Sequence, residues 1–76
     1  MVLGYILITA DPGEMRKVRE KIGKLNNIKD VEMVTGPYDL IVRAEAEEIS
    51  TLTSYVVDKL RHTVGITDTT TCIVIE

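Results

Sequence analysis

The sequence predicts an α+β fold with the element order βαββαβ. Three observations lead there: two apolar stripes at helical spacing, four short runs rich in strand formers, and turn residues at the junctions. This order is the split βαβ pattern of ferredoxin-like sandwiches, a four-stranded antiparallel sheet with two helices on one face. Both crossovers are expected to be right-handed, which puts the helices on the same side.

The first element is Val2-Leu3-Gly4-Tyr5-Ile6-Leu7-Ile8-Thr9, an apolar run of strand formers. Asp11-Pro12-Gly13-Glu14 then reads as a helix start. Asp11 is placed as the cap, Pro12 as the first helical residue, and Glu14 completes a capping-box spacing. Met15, Val18, Ile22 and Leu25 make the first helical stripe, and Asn26-Asn27 is expected to end it. A second strand runs from Ile28 to Thr35, with Val31, Met33 and Thr35 on one side. Gly36-Pro37 is a turn, and Tyr38 to Ala44 is the third strand, so the two form a hairpin. Ile49, Leu52, Val56 and Leu60 mark the second helix, ending near Gly65. Ile66 to Ile75 is the last strand.

A length of 76 residues allows a single domain, residues 1–76. The composition, 45% hydrophobic and 28% charged, excludes a disordered chain. Cys72 is alone, so the chain holds no internal disulfide, which fits a reducing cytoplasm. No apolar run approaches the roughly 20 residues of a membrane helix. Met1 to Thr9 lacks a basic leader and a cleavage signature, so no signal peptide is expected. Acids outnumber bases by 12 to 9, for a net charge of −3, which argues against direct nucleic-acid binding. Arg16, Lys17, Arg19, Lys21 and Lys24 read as the solvated face of the first helix.

The topology leaves one sheet face without helices, and the end strands are apolar on both sides. The first carries Val2, Ile6 and Ile8 on one face and Leu3, Tyr5 and Leu7 on the other. The last carries Cys72 and Val74 opposite Ile73 and Ile75. At about 25 cal/mol per Å², covering a few hundred Å² of such surface is worth several kcal/mol before association costs. That is comparable with the whole stability of so small a domain. The sequence therefore predicts a homodimer joined sheet to sheet, a dimeric αβ-barrel-like assembly.

The chemistry is sparse. His62, the one histidine, falls in the last turn of the second helix, where a cation favours the helix dipole. Cys72 lies in an apolar strand without a neighbouring base and reads as a small core residue. No Cys/His spacing indicates a metal site. The acids of Glu45-Ala46-Glu47-Glu48 suit a helix start. No catalytic constellation and no cofactor is expected. Two segments remain: the hairpin loop Val34-Thr35-Gly36-Pro37-Tyr38-Asp39, and Asp68-Thr69-Thr70-Thr71. A glycine loop exposes amides to a carboxylate, an acid beside it meets an ammonium, and threonine hydroxyls do both. The pair suits a zwitterionic amino acid. On the residues alone, a tight turn and a strand of good β propensity is the simpler reading.

The chain resembles the effector-binding domain of the Lrp/AsnC family of transcriptional regulators, also called the RAM domain. The resemblance rests on Val34-Thr35-Gly36-Pro37-Tyr38-Asp39-Leu40, on Thr69-Thr70-Thr71-Cys72-Ile73-Val74, and on Leu60-Arg61 followed by Val64-Gly65-Ile66. It implies a stand-alone sensor without the family's helix-turn-helix. It also implies sheet-to-sheet dimers that assemble further, an amino-acid effector held between dimers, and full-length regulators of the same type as partners. By the same resemblance, Thr35, Gly36, Tyr38, Asp39, Thr69 and Thr71 line the site. The backbone of Gly36–Asp39 receives the carboxylate and Asp39 the ammonium. ACT domains and small dimeric αβ-barrel monooxygenases share the fold, so a monooxygenase-like enzyme and a ligand-free interaction module are the alternatives.

Overall fold

A computed structural model describes residues 1–75. The strands are β1 (Val2–Ala10), β2 (Ile28–Met33), β3 (Leu40–Ala46) and β4 (Ile66–Ile73). The first helix, α1, is Met15–Ile22. The second, α2, opens as π-helical Thr51–Val56 and continues as α-helical Val57–Arg61. All strand pairs are antiparallel, in the order β2-β3-β1-β4. The expected ferredoxin-like sandwich is therefore the observed one.

The layer between sheet and helices is the core. Ile6 and Ile8 of β1, Leu40 and Val42 of β3, Val18 and Ile22 of α1, and Leu52, Val56 and Leu60 of α2 are all shut off from solvent. In β2 the inward residues are Ile28 and Val31, three apart instead of two. A bulge at Lys29 explains this: Ile28 pairs with Ala44, Asp30 with Arg43, and the extra residue reverses the alternation.

Several local expectations are corrected. Asp11 does not cap α1. Residues 11–14 form a turn, closed by the Glu14 amide donating to the Asp11 carbonyl at 3.0 Å, with Gly13 at φ +87°. Glu14 holds the cap position without a side-chain hydrogen bond. The helix stops at Ile22, with Gly23 as its C-cap, so Asn26-Asn27 lies in the connection to β2. β2 ends at Met33 and β3 begins at Leu40, which leaves Val34–Asp39 as loop. Ile49 is 53% exposed, because the wider π-helical winding starts the buried stripe at Leu52. Cys72 is exposed and not a core residue, since its β1 partner Tyr5 faces away from the helices.

The face without helices carries Leu3, Tyr5 and Leu7 of β1, Ile41 of β3, and Cys72 with its neighbour Val74. Towards β2 it turns polar, with Asp30 opposite Arg43 and an Arg43–Glu45 ion pair at 3.6 Å. No helix of the described residues is long and apolar enough to cross a membrane.

Candidate functional site

The β2–β3 loop is pinned at its ends and open in its middle. The Val34 amide donates to the Asp39 carbonyl at 2.9 Å, and the Asp39 amide donates to the Ile8 carbonyl at 2.8 Å. Between them the chain passes through Gly36 at φ +138°, where a Cβ would meet nothing within 4 Å. The amides of Thr35, Gly36 and Tyr38 have no acceptor among the described residues. Unpaired N–H groups of this kind are donors that an anion can accept from.

Asp39 is built into the sheet as well as the loop. Its Oδ2 accepts the Ala10 amide at 2.8 Å, where β1 leaves the sheet. One carboxylate oxygen closes the strand end. Oδ1 has no hydrogen-bond partner among the described residues.

Thr69 and Thr71 sit on β4, half-buried, on the side that faces the helices. Their β1 partners are Ile8 and Ile6. Since β1 separates β4 from β3, a single chain holds the threonines two strand spacings from the Asp39 loop, roughly 10 Å. The six predicted residues thus fall into two groups. Thr35, Gly36, Tyr38 and Asp39 share one loop. Thr69 and Thr71 share one edge strand.

Three residues near these groups escaped the sequence reading as site candidates. The hydroxyls of Thr9 and Thr67 bond to each other at 2.8 Å beside a register shift between β1 and β4. Arg61 joins Ile66, Thr67, Asp68 and Thr69 around a shallow surface depression, so a guanidinium and a carboxylate flank Thr69. Asp68 Oδ1 accepts the Thr69 amide at 3.0 Å. Only the spacing of Arg61 from the last strand hinted at this grouping, because strand pairing across 58 residues leaves no local signal. His62 is spoken for locally. Its Nδ1 lies 2.8 Å from the Asp58 carbonyl and 3.6 Å from the Asp58 carboxylate, and its side chain is solvent-facing.

Residues 3–76 match the family model of the Lrp/AsnC ligand binding domain. The chain belongs to that family. Among curated proteins it is 32% identical over 72 residues to an uncharacterized HTH-type transcriptional regulator of Pyrococcus horikoshii, covering 91% of this chain and 48% of the relative. This Lrp/AsnC domain spans about half the length of the curated relatives it matches. Among solved structures it is 34% identical to a hypothetical protein of Pyrococcus horikoshii, with a TM-score of 0.90, covering 100% of this chain and 92% of that one. It shares its fold with a Neisseria meningitidis transcriptional regulator solved as an L-Met complex. That match has 17% identity and a TM-score of 0.84, over 99% of this chain and 50% of that one. The Lrp/AsnC membership makes this a regulatory domain.

Proposed function

We propose that this Lrp/AsnC domain senses an amino acid and acts by binding it, without catalysis. The observation that carries the reading is the Thr35–Asp39 loop, with unpaired amides beside a carboxylate that has one oxygen free. Those amides take the effector's carboxylate and Asp39 Oδ1 its ammonium. Thr69 and Thr71 contribute hydroxyls from a neighbouring copy, because within one chain β1 holds them away from the loop. The copies meet first through the open sheet face, where Leu3, Tyr5, Leu7, Ile41 and Cys72 supply the apolar surface. Those dimers then join into a higher oligomer that creates the site. Binding shifts the assembly because its contacts exist in only one arrangement. The fold shared with a regulator that holds L-Met supports an amino acid as the ligand class. The domain works in the cytoplasm, mixing with full-length regulators of its type.

Calorimetry against the common amino acids tests this, with a pair of variants. Asp39→Asn keeps an oxygen for the Ala10 amide and removes the charge. It is expected to weaken effector binding at least tenfold and to leave melting nearly unchanged. Asp39→Ala also strands that amide, at a cost of about 1–3 kcal/mol. Heat of binding from Asp39→Asn equal to that of the wild type, or none from any amino acid with the wild type, overturns the proposal.

A further inference from the structure

The average charge of the chain hides a strong asymmetry. Arg16, Lys17, Arg19, Lys21, Lys24 and Lys29 lie within one stretch that holds a single acid, Glu20. That local charge of +5 leaves −8 for the rest of a chain whose total is −3. Among the described residues only Lys17 of these six forms an ion pair, a 4.0 Å contact with Glu14. The others face water with their charge uncompensated.

Part of this charge borders two grooves that share Lys24. Arg16, Arg19 and Lys24, with Glu20 and Gly23, border one surface groove on α1. Lys24 also borders the next groove, together with Asn26, Asn27 and Tyr55 of α2. Tyr55 is 54% exposed, and Lys59 Nζ stands 5.6 Å from its ring centroid. The track therefore reads Arg16, Arg19, Lys24, Tyr55, Lys59. The aromatic belongs to the π-helical segment, an irregularity that often marks functional sites. The track runs over the helix layer, opposite the open sheet face, so a second copy stacked on that face leaves it accessible.

We propose that this track binds single-stranded nucleic acid. Cations spaced along a groove follow a phosphodiester backbone, and an exposed ring between them stacks an unpaired base. An acidic polypeptide would use the cations and leave the ring idle. The expectation from net charge that the chain makes no direct nucleic-acid contact gives way here to the local distribution. The inference does not depend on the effector site.

Fluorescence anisotropy of the full chain with a labelled 20-nucleotide oligo-dT, a 20-base-pair duplex and poly-glutamate provides the test. About three or four phosphate contacts at a slope of −0.7 each predict that affinity falls roughly 20- to 50-fold between 50 and 200 mM salt. The triple charge reversal Arg16→Glu, Arg19→Glu, Lys24→Glu is expected to weaken oligo-dT binding at least tenfold. Tyr55→Ala is expected to cost about 5- to 150-fold on oligo-dT and little on the duplex. All these side chains are on the surface, and circular dichroism checks that each variant folds. Absence of oligo-dT binding at 50 mM salt overturns the proposal, as does binding that the charge reversals leave unchanged. So does poly-glutamate binding as tight as oligo-dT, or Tyr55→Ala with no effect on oligo-dT.

Discussion

Gly65→Ala is expected to lower the melting temperature of the chain by roughly 10–40 °C. Two effects add. Gly65 has φ +104°, a backbone state that costs an alanine about 1–3 kcal/mol. The new Cβ would also stand 2.8 Å from Cγ2 of Val18, which is fully buried in the core, and overpacking there costs about 1–3 kcal/mol more. Nothing nearby yields easily. The Gly65 carbonyl accepts the Asp11 amide at 2.8 Å, so the position ties the α2–β4 turn to the β1–α1 turn. Thermal unfolding followed by circular dichroism measures the shift. Combining Gly65→Ala with Val18→Ala removes the Val18 contact and leaves the backbone strain and a 3.1 Å approach to Cβ of Glu14, so the two changes together should destabilise less than their sum. A drop of only a few degrees for Gly65→Ala would refute both parts of the argument.

Leu7→Glu is expected to give folded single chains that no longer respond to an effector. Leu7 is half-buried on the open sheet face, between Ile41 of β3 and Thr70 of β4, and makes no part of the helix-side core. A carboxylate there costs little in an isolated chain. Between stacked sheets it would be a buried, unpaired charge, and the dimer dissociation constant should rise at least about 100-fold. Light scattering should read the mass of one chain at micromolar concentration, where the wild type is expected to read an oligomer. A variant that keeps the wild-type mass would remove the open face from the interface.

The sequence made the element order legible because each element carries its own period. Val18 and Ile22, or Ile6 and Ile8, are apolar for one reason, burial in a single core, and their spacing reports it directly. What it hid depends on distant pairings or on backbone geometry. Asp11 and Glu14 have the right spacing for a capping box. Gly13 at positive φ makes the segment a turn, and a residue pattern does not show that choice. Lys29 looks like any strand residue until β2 is laid against β3. For the site, the Gly36 loop was readable as a candidate because glycine and proline advertise turns. The second duty of Asp39, holding the Ala10 amide, was invisible, since it joins segments 29 residues apart. Thr69 and Thr71 were visible as residues, but their place on the edge strand, with β1 between them and the Asp39 loop, was not.

The two margins of the sheet are not equivalent. Along β2 the extra residue at Lys29 breaks the regular ladder, and Asp30 and Glu32 add charge beside it. Such irregularity discourages a foreign strand from zipping alongside. Along β4, from Thr69 to Ile73, the pairing with β1 is regular and no side chain is charged. Any lateral extension of this sheet is therefore directional: it has a guarded flank and a receptive one, and growth is favoured from the latter.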